Sequence, residues 1–407
     1  MTPATKSSAI LVINSGSSSV KFALFAAESD LPRLFAGALE RIGLAHTRFH
    51  ARDHAGIACF DDEVSLPNHR EALRLLIKTI KEHLTGGSTL LAVDHRIAHG
   101  GPDCDCSRLV TDVFEAKLRQ LIPLAPLHQP HNLAGISAIR EFEPSLPQVA
   151  CFDTAFHHGL PRFARMTGLP RTFQIPEIRR YGFHGLSYES LVEMLREEGV
   201  DVDRDRIIAA HLGNGASMCA LRNGRSVETT MGFSTLSGLM MGTRSGDMHP
   251  GAILYLMNEK GLDRATVQTL LYERSGLLGV SGISSDMREL LARQGESAAR
   301  DAVDLFCYRA QHHVAALTAV LGGLDRLVFT GGIGTNAAEI RQRICSWLDY
   351  LGIKLDVAAN NSGVGTIFAQ DSTVKVQALK SDEERMIARH VLRRMTEVAS
   401  FDEAGCS

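Results

Sequence analysis

A strand, a glycine-rich turn and a second strand occur together near the start of the chain and again near its middle. No other feature constrains the fold as much. The first copy runs Ala9 to Ile13, Asn14-Ser15-Gly16-Ser17-Ser18-Ser19, then Val20 to Phe25. The second runs Ile207 to Ala210, His211-Leu212-Gly213-Asn214-Gly215, then Ala216 to Leu221. Glycines and small hydroxyl residues between apolar strands let backbone N–H groups converge on an anion such as a phosphate. A third glycine turn, Thr330-Gly331-Gly332-Ile333-Gly334-Thr335-Asn336, follows the apolar run Leu327 to Phe329. Three turns of this kind predict a cleft for a polyphosphate, although by glycine pattern alone they serve equally well as plain strand connections.

A chain of 407 residues exceeds what one core usually supports, so two domains are expected. The 43 basic and 46 acidic residues leave a net charge of −3, which gives no sign of a nucleic-acid surface. Among the eight cysteines there is no C-x-x-C pair. Cys59, Cys151 and Cys219 sit in apolar runs and are expected to be buried, reduced thiols of a cytoplasmic protein. Cys104-x-Cys106 reads as a loop coincidence and not as a metal site. No apolar stretch reaches the roughly 20 residues that span a bilayer, and the start of the chain shows no signal-peptide pattern.

Strands and helices alternate, the mark of an α/β fold. Leu73, Leu76, Ile77, Ile80 and Leu84 recur at helical spacing, as do Val303, Phe306, Cys307, Ala310, Val314 and Leu317. The second helix is expected to stop at Gly322-Gly323, just before the strand that delivers the third glycine turn. A composition break at Glu143-Pro144-Ser145-Leu146-Pro147 places a boundary there, giving domains 1–150 and 151–383.

Familiar phosphate motifs are absent. Gly16 to Lys21 lacks the P-loop pattern, and neither Gly213-Asn214-Gly215 nor Gly331 to Gly334 fits the dinucleotide fingerprint. Two arginines stand among glycines, in Asp94-His95-Arg96-Ile97-Ala98-His99-Gly100-Gly101 and in Met241-Gly242-Thr243-Arg244-Ser245-Gly246-Asp247. Such a guanidinium suits capture of carboxylate or phosphate oxygens, although each alone reads equally as a surface ion pair. Asp153 follows the run Val149 to Phe152, at a strand end where α/β active sites lie. His184 is bracketed by glycines in Tyr181-Gly182-Phe183-His184-Gly185. Asp286 and Glu383 read by themselves as helix-start acids. The His157-His158 and His312-His313 pairs read as surface or packed imidazoles.

These motifs together resemble the acetate and propionate kinase family, within the superfamily of acetate and sugar kinases, Hsp70 and actin. The match runs from Leu11 to about Ala388. The resemblance implies two duplicated actin-like domains flanking an ATP cleft, with segment 384–407 returning to the first. It implies Mg²⁺, with Mn²⁺ as a substitute, held by Asn14 and Glu383, and ATP contacts from Lys21, His211, Leu212, Gly213, Asn214, Gly215, Asp286, Met287, Arg288, Gly331, Gly332, Ile333, Gly334 and Thr335. Arg96 matches the substrate-binding arginine, with Ala98 and Phe183 in the substrate pocket. His184 and Arg244 match transition-state stabilisers, and Asp153 matches the acid/base aspartate. A homodimer is implied as well.

A short carboxylic acid, with a pKa near the ~4.3 of a glutamate side chain, is already an anionic nucleophile at neutral pH. It needs no general base, and the obstacle is its repulsion from the polyphosphate. Catalysis is therefore expected to consist of in-line positioning and charge neutralisation, with Asp153 orienting Mg²⁺ or an arginine. Many acetate kinases carry valine where this chain has Ala98, a proline-glutamate pattern at Thr235-Leu236-Ser237, and aspartate at His249. The smaller Ala98 leaves space for one more methylene, so propionate is expected as a substrate alongside acetate. Two rival classes are another small-molecule kinase or phosphatase of the superfamily, which would not require both arginines, and a non-catalytic ATP-driven clamp, which would need an added partner-binding region.

Overall fold

The structure is a computed structural model that describes residues 8–16, 18–84, 88–126 and 128–404, without the side chains of 398–404. Ser17 of the first hairpin and Cys406 lie outside the described residues. The chain divides into two units, Met1–Ala155 with Asp382–Ser407, and Phe156–Ser381.

In the first unit β1 (Ser8–Ser15), β2 (Ser19–Ala26), β3 (Arg33–Glu40), β4 (Thr47–Asp53), β5 (Ala58–Val64), β6 (Thr89–Ile97), β7 (Arg108–Leu109) and β8 (Gln148–Phe152) form one sheet in the order β5-β4-β3-β2-β1-β6-β8-β7. β1 is antiparallel to β2 and parallel to β6, and β6 is parallel to β8. Helices cover the middle of this sheet, so β1 is apolar from Ala9 to Ile13 without alternation, as a strand buried on both faces must be. Leu73, Leu76, Ile77 and Ile80 of the helix His69–His83 pack on Leu11, Ile13, Phe22 and Leu24. Each such side chain contributes about 1.5–3 kcal/mol by leaving water. The last helix, Glu383–Ala404, packs on β1 and β6.

In the second unit β9 (Ile207–Leu212), β10 (Ala216–Arg222), β11 (Arg225–Thr229), β12 (Arg326–Thr330), β13 (Gly365–Thr366) and β14 (Lys375–Ala378) run in the order β11-β10-β9-β12-β14-β13. β9 is antiparallel to β10 and parallel to β12, which is parallel to β14. The hairpin that recurs in the sequence therefore opens the same strand topology in both units. The helix Ser297–Leu321 ends at Gly322, in the left-handed conformation at φ 71° that closes helices.

Two expectations need correction. The third glycine segment, expected as a turn, is a short helix: Gly331–Asn336 follows directly after β12. Gly331 makes that turn at φ +77°, where a Cβ would lie 2.5 Å from the Leu212 carbonyl oxygen, so no other residue fits. Cys59 is exposed, because it lies on the edge strand β5, most of whose residues face water. Cys151 and Cys219 are buried as expected. Among the described residues no helix is long and apolar enough to cross a membrane.

Asp94 on β6 is fully buried, its Oδ2 accepting a 3.2 Å hydrogen bond from the Cys151 thiol, and burial pushes its pKa well above the ordinary value. The folded chain keeps this proton while the unfolded chain releases it near pH ~3.9. This group's contribution to stability is thus fully present below that pH and is lost as pH rises toward the folded pKa. Asp94→Asn cannot ionise, so its thermal midpoint relative to wild type should climb between pH 5 and pH 8; a difference independent of pH would contradict a protonated Asp94.

Candidate active site

In the first unit the β6–β8 register sets Arg96 opposite Cys151 and Ile97 opposite Phe152. This brings Arg96 to the same sheet rim as Asp153, which follows β8, and the C-terminal rim of parallel strands is where α/β sites form. Arg96 Nε and Nη2 donate to the two Asp153 carboxylate oxygens at 3.0 and 3.1 Å. Its Nη1 lies 2.8 Å from Glu383 Oε2, at the start of the last helix. The three side chains are only 20%, 11% and 18% exposed respectively, so this is a largely dehydrated ionic cluster.

Burial alone would lower the Arg96 pKa, but the charges of Asp153 and Glu383 outweigh it and raise it. Burial also pushes Asp153 up, with Arg96 offsetting part of that shift. That upward direction runs against the ion pair, and the geometry decides between them. Both Asp153 oxygens accept from one guanidinium, the bidentate pairing of a carboxylate with a permanently charged arginine. Arg96 is thus engaged on three nitrogens, in an ion-pair cluster that is largely buried and not on the surface.

Asn14, near the end of β1, pairs across the hairpin with Lys21. Both line a cavity of about 30 Å³ with Arg96, Glu383 and Glu384. Ala98 is buried, its N–H donating to Asn132 Oδ1 at 3.1 Å. The same amide donates through Nδ2 to the Ser15 carbonyl at 3.2 Å, tying the Ala98 loop to the first hairpin. Gln129 Nε2 donates to the His99 carbonyl at 3.2 Å and the Gly100 N–H to Thr154 Oγ1 at 3.1 Å. Sequence reasoning missed these amides, because nothing in their spacing marks them.

In the second unit a cavity of about 720 Å³ is bounded by Gly213, Asn214, Asp286, Arg288 and Gly332 on its polar side, and by Met287, Leu291, Ile333 and Ala337 on its apolar side. Its size and mixed lining suit a nucleotide. Leu291 was not foreseen, although it stands one helical turn from Met287. Asp286 caps the helix Met287–Ala292, accepting from the Arg288 N–H at 2.8 Å. Bonds from the Arg288 side chain and backbone hold its pKa at about 2. Leu212, Gly334 and Thr335 point away from solvent, Thr335 Oγ1 donating to the Gly331 carbonyl. Arg341, unremarked in the sequence, is fully buried and donates to the Gly334 and Thr335 carbonyls, both at 2.8 Å.

Beside that cavity His184, His211 and Arg244 gather around the second hairpin. A Cβ built on Gly215 would lie 3.4 Å from His184 Nε2 and 3.8 Å from Arg244 Nη1. One built on Gly213 would lie 3.9 Å from both His211 Nε2 and the Gly332 nitrogen. The two imidazoles stack with centroids 4.2 Å apart. His184 itself has φ +60°, a left-handed conformation that costs a side-chain-bearing residue roughly 1 kcal/mol. Phe183 is buried, and its carbonyl lies 3.0 Å from His157 Nε2. That imidazole, also 2.8 Å from Ser226 Oγ, is pushed down to about 4 by burial, so it is a packed histidine that anchors the turn.

Arg244 lies in a loop closed by Asp247, whose Oδ1 accepts from the Gly238 N–H at 2.7 Å. Its guanidinium donates to the Thr235 carbonyl at 3.1 Å and contacts Met241 Sδ at 3.5 Å; among the described residues no carboxylate pairs with it. Burial lowers its pKa. Gly242, two residues earlier, donates to the Asn214 carbonyl at 3.0 Å, and a Cβ there would strike the Asn214 side chain. The Arg244 loop and the hairpin therefore touch through backbone.

Known proteins resemble this chain along nearly its whole length. The acetokinase family matches residues 9–389. The acetate kinase of Rhodopseudomonas palustris is 47% identical over 400 residues, covering 95% of this chain and 98% of that protein. That of Methylocella silvestris is 42% identical over 402 residues, covering 96% and 99%. The crystal structure of Porphyromonas gingivalis acetate kinase superposes with a TM-score of 0.84 at 38% identity, covering 94% of this chain and 98% of that one. A propionate kinase from Francisella tularensis gives 0.87 at 35% identity, with the same coverage. A match this continuous, across both units and every glycine turn, means that the chain belongs to the acetokinase family.

Proposed function

We propose that the residues described above carry the activity of this family, a reversible phosphoryl transfer from ATP to acetate that gives acetyl phosphate and ADP, with propionate as a second acceptor. The observation that supports it most is Arg244, a half-buried cation that pairs with no carboxylate among the described residues and stands beside a nucleotide-sized cavity. A dehydrated guanidinium is costly until an anion pairs with it. The charge that develops on a transferring phosphoryl group is such an anion, and His184 Nε2 points to the same place. ATP fits the 720 Å³ cavity with its base against Met287, Leu291 and Ile333 and its phosphates toward Gly213–Gly215 and Gly332.

Asn14 and Glu383 are the residues that would hold Mg²⁺. The fit rests on their hard oxygen donors and on a cavity large enough for about one water-sized particle. Mg²⁺ takes few protein ligands and fills its shell with water and phosphate oxygens, and when bound it supplies neutralisation of phosphate charge. Arg96, held in one orientation by Asp153 and Glu383, receives the acceptor carboxylate. Asp153 acts as the orienter: each of its two oxygens accepts from Arg96, which fixes the guanidinium in the plane of the carboxylate.

Ala98 supports propionate as an acceptor. One extra buried methylene is worth about 0.8 kcal/mol, which shifts preference without excluding acetate. The helix Pro250–Asn258 supports a homodimer, since none of its nine residues is buried although Leu254 and Tyr255 are 59% and 52% exposed. Light scattering should find twice the chain mass, and a monomer at all concentrations would contradict this. The buried free thiols fit a reducing, cytoplasmic setting.

The activity is tested by trapping acyl phosphate with hydroxylamine, using Mg-ATP and acetate, propionate, butyrate or a sugar panel. Hydroxamate from the two- and three-carbon acids is expected, and Ala98→Val should lower kcat/KM for propionate relative to acetate. ADP released only with a sugar would overturn the reading, and an unchanged acid preference in the variant would reject Ala98 as its cause. Arg244→Ala should lose at least ~10²-fold in kcat, the scale of one transition-state donor; a loss of tenfold or less would remove it from that role. Asp153→Asn should lower kcat without displacing the pH profile, whereas a displaced profile with wild-type metal dependence would mean that Asp153 carries a proton.

A further inference from the structure

Ser217 and Tyr188 have no part in the roles assigned above, yet both are fully buried, and Ser217 reaches the imidazole of His184 while Tyr188 reaches Ser217. Ser217, on β10, places its Oγ 2.8 Å from His184 Nδ1 and 2.5 Å from the Tyr188 hydroxyl. Tyr188 is in the helix Gly185–Glu197 that begins just after His184. The neighbouring imidazole is tethered in the same way, with Ser187 Oγ 2.8 Å from His211 Nδ1 and 2.9 Å from Ser381 Oγ. Each ring is thus held at Nδ1 by a serine while its Nε2 faces the hairpin glycines.

We infer that Ser217, backed by Tyr188, is a positioning residue that holds the His184 imidazole as the Nε2–H tautomer facing the transferred phosphoryl group. The inference rests on the role proposed for His184. With Tyr188 donating to Ser217 and Ser217 donating to Nδ1, a neutral ring carries its one proton on Nε2, where it donates to a phosphoryl oxygen. The left-handed backbone of His184 needs such an external restraint, because strained conformations persist only where their surroundings over-determine them. Stacking on His211 fixes the plane of the ring, and the serine fixes its rotation and its tautomer.

A double-mutant cycle tests this. In wild type Ser217→Ala should lower kcat about tenfold, a part of the ~10²–10⁴-fold that a positioned donor itself contributes, and leave KM for both substrates nearly unchanged; Ser217→Thr, which keeps the hydroxyl, should restore it. In the His184→Ala background Ser217→Ala should cost nothing further. Tyr188→Phe, which leaves Ser217 in place, should show a smaller loss that also vanishes in that background. If His184→Ala is severe but the Ser217 loss multiplies with it, Ser217 acts elsewhere and the inference fails while the role of His184 stands. If His184→Ala is itself mild, both fall.

Discussion

The company kept by Arg244 is the constraint on which the second unit is built. A guanidinium taken most of the way out of water, with a carbonyl and a thioether for neighbours, is a charge awaiting an anion. The loop that carries it is closed by Asp247 and docked through Gly242 on the hairpin, which holds its backbone in place. His184 and the Gly332 nitrogen face the same hairpin, one in a strained backbone conformation and the other just past the sharp turn at Gly331. Placing donors before charge develops is the main way a protein accelerates transfer between two anions.

Arg96 in the first unit is the contrasting case. It lies near the end of β6, which is parallel to the hairpin's first strand, and two carboxylates fix it. Duplicated topology has therefore been fitted with different electrostatics: a neutralised, oriented arginine beside Asn14 and Glu383, and an uncompensated one beside the nucleotide-sized cavity. In the roles proposed for the two arginines, a carboxylate acceptor and a polyphosphate donor make unequal demands, which this asymmetry would suit.

Much of this was legible in the residues because it is local. The two hairpins and the helix that ends at Gly322 follow from apolar runs, periodicity and glycine stops. The Gly331 segment reads as a turn in the sequence because glycine spacing gives no helical period; only the packing of Gly331 against the Leu212 backbone shows why a glycine opens this short helix. Glu383 looked like a helix-start acid by itself; its partnership with Arg96 and Asp153 depends on the β6–β8 register and on the last helix packing back on β1 and β6. The serines that tether the imidazoles, and Arg341 beneath the Gly331 helix, carry no motif at all. Their meaning comes only from what they touch.

The central claim is that the acceptor arrives as an anion and that no proton moves when phosphorus changes partners. The most direct test is single-turnover phosphoryl transfer to acetate in light and heavy water, with a viscosity control. The account predicts the same rate in both once viscosity is matched. A slower reaction in heavy water that the control does not reproduce would place a proton in the transition state, and would return Asp153 or His184 to the role of an acid or base.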